Sequence, residues 1–165
     1  LQCKKLLWYI YNEPDVIPER DEATQAIFDQ GHFVGDYAKK LFPKGVEVDH
    51  TKSFEEGLES TKELILKRVP IFEAALTYKN CYARADILEP VGRDKWNLIE
   101  VKSSTELKDV NYHDIGFQYY LYTGAGLKIN KCYLMCIDNT YIRKGDIEPD
   151  KLFKKIDVTE EVKTT

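Results

Sequence analysis

The sequence predicts a single α/β domain, with a central mixed sheet of four to five strands flanked by helices. Three short apolar runs, IFEAALTY, YARADILEP and WNLIEVKSS, follow one another from Ile71 to Ser104. The breaks between them, Lys79-Asn80 and Val91-Gly92-Arg93-Asp94-Lys95, read as turns, so the runs form an antiparallel meander. Apolar residues at helical spacing precede and follow this meander, and a further apolar run, KCYLMCID, closes the pattern.

Taken in order, Leu1 to Tyr11 reads as a first strand or a helix end packed on the core. Cys3 either shares in that packing or ligates a metal cluster. Asn12-Glu13-Pro14-Asp15 and Pro18 mark a loop. From Asp21 to Leu41 the pattern is helical: Ala26, Phe33, Tyr37 and Leu41 share a face, with Ile27, Val34 and Ala38 beside them. Gly31 and Gly35 lie one turn apart on it. Each costs about 1 kcal/mol against Ala in an exposed helix, which points to a close approach by another backbone or a ligand. His32 between them is either a surface or core residue or a ligand. Pro43 ends this helix, and Gly45 to Asp49 reads as a short strand. A second helix runs from Asp49 to Arg68, with Ser53 and Glu56 forming a capping box, and Pro70 leads into the meander.

Ser103-Ser104-Thr105 is a polar link. Asp109 to Thr123 is a third helix, with Asp109 or Asn111 as cap and Gly124 as stop. Asp114, Gln118 and Tyr122 are spaced four apart and share one face. Lys131 to Asp138 is a fourth strand, with a return strand at Thr140-Tyr-Ile-Arg143. The charged tail carries a short helix from Asp150 to Lys155, and Thr159 caps another.

The composition is 43% hydrophobic and 32% charged, as in ordinary globular proteins. No apolar run approaches the roughly 20 residues that span a bilayer, and LLWYIY is too short and too polar at its flanks for a signal peptide. A membrane partner is therefore not expected. Four cysteines without a paired CxxC pattern read as reduced, and the expected location is cytoplasmic. A net charge of −4 argues against an indiscriminate nucleic-acid coat protein but leaves room for a local basic groove. The chain opens without Met and closes on Val-Lys-Thr-Thr, which suggests a piece of a longer protein.

The chemistry concentrates on the meander. Residues two apart in a strand share a face, so Glu100 and Lys102 point one way while Ile99 and Val101 point the other. An acid and an amine among apolar residues are costly unless they pair or bind something. Asp86, on the neighbouring strand, completes a small acidic pocket suited to a divalent cation and an activated water.

The ordered set of Asp86, then Glu100-Val101-Lys102 on the next strand, then Gln118-Tyr-Tyr-Leu-Tyr122 on the following helix, resembles the PD-(D/E)XK nuclease superfamily. Within it, the Gln-x-x-x-Tyr element is similar to that of the RecB-like branch. The resemblance covers Glu22 to Ile142 and implies a restriction-endonuclease-like αβββαβ core. It implies a deoxyribonuclease, an exonuclease acting on DNA ends or single strands. Mg2+ or Mn2+ would be held by Asp86, Glu100 and the Val101 carbonyl, with Glu73 as the matching upstream acid and His32 as a further ligand. Lys102 would orient the water or steady phosphate charge, and Gln118 and Tyr122 would hold the scissile nucleotide. Arg84, Lys79 and Lys108 are either solvated surface or phosphate contacts. A helicase or a CRISPR-type protein is the implied partner, in DNA repair or phage and CRISPR defence. Two departures stand out. Ala85 replaces the superfamily's Pro before the Asp, and Gly35 occupies the usual helix His position. Some relatives bind an iron–sulfur cluster through one N-terminal and three C-terminal cysteines. Cys3 with the following Lys-Lys-Leu-Leu-Trp resembles the first, but the closing triplet is not present by Thr165, so a cluster is expected only in a longer parent chain. The competing readings are an ion-pair network on a sheet face, or a catalytically silent nuclease-like domain that binds nucleic acid or a partner protein.

Overall fold

The computed structural model describes residues 3–19 and 21–164; the N-terminal Leu1 and Gln2 of the first predicted element lie outside them. The chain divides into two compact units, 1–30 and 31–165. In the first, helix α1 (Lys4–Asn12) precedes a short 3-10 turn, Pro14–Val16. Cys3 serves as the helix cap: its Sγ accepts the Leu6 N–H at 3.4 Å. The expected packing of this segment on a core is corrected, because α1 buries no residue and Leu6, Trp8, Ile10 and Tyr11 are exposed. Helix α2 (Glu22–Lys39) crosses from the first unit into the second.

The second unit is a six-stranded mixed sheet, β1 (Val46–Glu47), β2 (Ile71–Tyr78), β3 (Cys81–Val91), β4 (Lys95–Lys102), β5 (Lys128–Ile137) and β6 (Phe153–Asp157), in that spatial order. The meander β2–β3–β4 is antiparallel as expected. β1 joins β2 in parallel, β5 joins β4 in parallel, and β6 closes the far edge antiparallel to β5. The α/β class holds, with six strands instead of four to five. The sixth strand corrects the expected helix over 150–155: only Pro149–Leu152 turns helically (α5) before the chain extends. The expected return strand at 140–143 does not form. Lys154 and Lys155 place charge on the edge strand, where it blocks further pairing.

Helix α3 (Phe54–Lys67) starts on the expected capping box: Ser53 Oγ accepts the Glu56 N–H at 3.2 Å, and Glu56 Oε2 accepts the Ser53 N–H at 2.9 Å. Buried Thr61 pins it to the sheet by accepting the Ala75 N–H at 3.0 Å. Helix α4 (Asp109–Gly124) is preceded by Lys108 as its cap position, not Asp109; Asn111 Oδ1 accepts the Lys108 N–H at 2.8 Å. Helix α6 (Thr159–Thr164) follows β6, and Thr159 ties strands together instead of capping: its Oγ1 accepts the Cys132 N–H at 3.0 Å and donates to Asp157. One face of the sheet carries the larger core, filled by Leu64 of α3, Ile115, Leu121 and Tyr122 of α4, and Val162 of α6. The other carries a smaller cluster of Ala38 from α2 with Phe72, Ile87, Ile99 and Met135. Among the described residues no helix is long and apolar enough to cross a membrane.

Candidate active site

The site is built on a slip in the pleat. Along a regular strand, alternate residues share a face. In β2, Ile71 belongs to the α3–α4 core and so do Ala74 and Leu76, an odd step away; Phe72 belongs to the opposite cluster. In β3 the same slip separates Leu88 from Ala85 and Ala83. The two irregularities stand opposite each other at Glu73 and Asp86, between the register pairs Phe72–Ile87 and Ala74–Ala85. Glu73 has φ 54°, a conformation costly for a residue with a side chain. Its carbonyl accepts a hydrogen bond from His50 Nε2 at 2.8 Å; a carbonyl only accepts, so the proton is on Nε2.

Asp86 uses the slip to reach across to β4, where its Oδ2 accepts the Val101 N–H at 2.6 Å. Regular β3–β4 pairing ends at Ile87–Ile99, so the Asp86 carboxylate replaces backbone as the partner of the next outward-facing amide. A strand residue's N–H and C=O point to the same side, so the Val101 carbonyl also faces β3. Val101 and Ile99 pack toward the smaller cluster, as expected from alternation.

On the α4 side of this junction lies a closed network. Glu100 is 8% exposed. Its Oε1 accepts from Lys102 Nζ at 2.8 Å and its Oε2 from Gln118 Nε2 at 2.7 Å. Lys102 Nζ also meets Asp114 Oδ2 at 3.2 Å. Gln118 is buried, and its Oε1 has no hydrogen-bond partner. Desolvation pulls the Lys102 pKa down, but Glu100 and Asp114 outweigh it and hold the ammonium above the ordinary lysine value. Desolvation, with Glu100's charge next, pushes the Asp86 carboxyl well above the usual carboxylate range.

Tyr122 departs from its expected role. It is 0% exposed, its hydroxyl accepts the Ala85 N–H at 2.9 Å and donates to the Ala74 carbonyl. The phenol thus bridges β2 and β3 beside the slip, next to Asp86's chain neighbour Ala85, and is buried instead of presented to a nucleotide. Gln118 likewise spends its amide on Glu100.

On the opposite side a cavity of about 820 Å3 opens, bordered by Asp86, Val101, Glu73, Arg84, His50 and His32. Gly31 and Gly35 border it too. Nothing lies within 4 Å of where a Cβ would stand on either, so the expected close approach of another backbone does not occur. Arg84 Nε stands 3.7 Å from Glu73 Oε2. Thus Asp86, Glu73, Val101 and His32 border one cavity, while Glu100, Lys102 and Gln118 form a connected group behind it. His50 was not singled out by the sequence; a histidine between a short strand and a helix cap carries no pattern that marks it.

Among the described residues no three His, Cys, Asp or Glu side chains are already gathered as a metal cage. The donor chemistry nevertheless fits a hard divalent cation: carboxylates from adjacent strands, a carbonyl facing them, and a partly buried acid whose charge is poorly offset. The described cysteines are all free; Cys132 and Cys136 are buried on β5, and burial pushes the Cys132 thiol up to about 12. No family model matches the chain, and no curated protein matches it.

Proposed function

We propose that the chain is a metal-dependent nuclease of the RecB-like kind, hydrolysing phosphodiester bonds of DNA from ends or in single strands. The observation that carries this reading is the hydrogen-bonded junction in which Asp86 meets the Val101 N–H while Glu100 is held by Lys102 and Gln118. Asp86 and the Val101 carbonyl would hold Mg2+ or Mn2+ with Glu73 and His32 at the rim, and Glu100 would join them by giving up its hydrogen bond from Lys102 or Gln118. When bound, such an ion lowers the pKa of a water and offsets phosphate charge. Lys102 stays an ammonium at neutral pH, so it serves as a hydrogen-bond donor and a positive charge, not as a base; released from Asp114 it would turn toward the reacting phosphate while still holding Glu100. Gln118 keeps Glu100 oriented, and Tyr122 keeps the Asp86 segment in place.

A second reading, a domain that binds DNA without cutting it, is favoured by Lys102 being engaged by two carboxylates. The two separate on one assay. Linear and circular DNA are incubated with the chain in Mg2+, Mn2+ or EDTA, beside Asp86→Asn. Cleavage that needs the ion and Asp86 supports the nuclease; binding without cleavage in any ion supports the silent domain.

A further inference from the structure

The outer end of the β2–β3 hairpin continues the cavity surface away from Asp86. Beyond the slip, alternation on β3 buries Ala83 and Ala85 in the larger core and leaves Tyr82 and Arg84 outward. Residues two apart on a strand are about 7 Å apart, so Asp86, Arg84 and Tyr82 form a row. Arg84 and Asp86 border the cavity, and Tyr82 borders a second, shallower hollow of about 640 Å3 with Phe54, Thr77 and Lys79. Tyr82 is 39% exposed and Phe54 53% exposed, and their ring centroids lie 5.0 Å apart. At the tip, Lys79 Nζ sits 5.2 Å over the Tyr78 ring, which meets Tyr120 edge-on at 5.5 Å. Two partly exposed rings packed on each other, with a lysine at the hairpin tip and an arginine between them and Asp86, thus lie along one hairpin that leads to the acid site.

We propose that this surface is a track for a single strand of DNA, with bases stacking on Tyr82 and Phe54 and phosphates meeting Lys79 and Arg84. It rests on the nuclease reading for where the strand leads, namely to Asp86. Aromatic faces take any base and cations take the backbone, which is how strand-binding surfaces avoid sequence preference. Arg84 has donors to spare beyond its contact with Glu73. A duplex end keeps its bases stacked on each other and offers the rings only a terminal pair.

The test uses the intact chain in EDTA, where nothing is cut, with fluorescein-labelled oligo-dT followed by anisotropy. Replacing both rings, Tyr82→Leu with Phe54→Leu, is expected to weaken binding about tenfold or more, and Tyr82→Trp to retain it. Lys79→Ala or Arg84→Gln should each lower the salt-dependence slope by about 1. Blunt duplex should bind more weakly than oligo-dT. Irradiation of the unaltered chain with an iodouracil-substituted strand should place the adduct on Tyr82 or Phe54. The proposal is overturned if the leucine pair binds oligo-dT like the wild type, if duplex binds as tightly, or if the adduct forms only elsewhere. An apolar surface for a protein partner would give the first result. Cleavage by wild type and its loss in Asp86→Asn are scored separately, so the nuclease reading and the track fail independently.

Discussion

The two sides of the β3–β4 junction treat their acids in opposite ways. Toward α4, Glu100 has both oxygens occupied and is nearly sealed off. Toward the cavity, Asp86 holds one backbone amide and otherwise faces an open space with Arg84, Glu73 and His50. The closed side fixes geometry; the open side gives access. Groups of the same chemical type therefore do different work on neighbouring strands, and their substitutions should fail differently.

Three variants on the closed side sharpen that contrast. Lys102→Ala should leave divalent-ion binding largely intact and slow cleavage by about 10²–10⁴-fold, the range for a positioned group acting at the reacting atoms. If only unfolding is affected and cleavage per folded molecule holds, Lys102 is merely Glu100's ion-pair partner. Gln118→Ala should lower Mn2+ affinity or turnover by about 10–100-fold, as loss of an orienting partner does at metal sites; calorimetry beside a cleavage time course shows which. Tyr122→Phe removes the hydroxyl shared by Ala74 and Ala85, leaving two buried backbone groups without their partner. It should cost about 2–4 kcal/mol of stability in denaturant melts, with oligonucleotide affinity per folded molecule unchanged. Retained stability with lost DNA affinity would return Tyr122 to a substrate-holding role.

The open side predicts a smaller, pH-dependent effect. The Asp86 pKa is raised in the folded chain, by desolvation first and by Glu100's charge next. Between the ordinary carboxylate value and that raised value, the native state keeps a proton that the unfolded state has lost. Stability in EDTA should therefore fall as pH rises through this window. Asp86→Asn should flatten that part of the curve; an unchanged slope would mean another group sets it.

Much of this was legible in local chemistry. Ser53 and Glu56 announce a helix start, and Lys79-Asn80 announces a hairpin, where both residues take positive φ of 46° and 61°. Spacing also brought Asp86, Glu100, Lys102 and Gln118 to one junction. The pleat slip was hidden, because Ile71, Phe72, Ala74 and Ala75 around Glu73 and Ile87 and Leu88 after Asp86 are apolar whichever face they take, so alternation does not mark the step. The sixth strand was hidden because Leu152, Phe153 and Ile156 also fit a helical face; the open edge of β5 decides in favour of pairing. Helical spacing put Tyr122 on the right face but cannot say whether its hydroxyl meets solvent or the strands beneath.

Asp86, an acid whose charge is poorly offset, is proposed to be kept for a cation. Thermal unfolding of wild type and Asp86→Asn, each in EDTA and in Mn2+, tests it most directly. An Asn can still accept the Val101 N–H while removing the charge. The Asn variant is expected to melt higher than wild type in EDTA at neutral pH, and Mn2+ is expected to raise the wild-type melting temperature and leave the variant unmoved. A variant that melts lower in EDTA, or gains as much from Mn2+ as wild type, would contradict it.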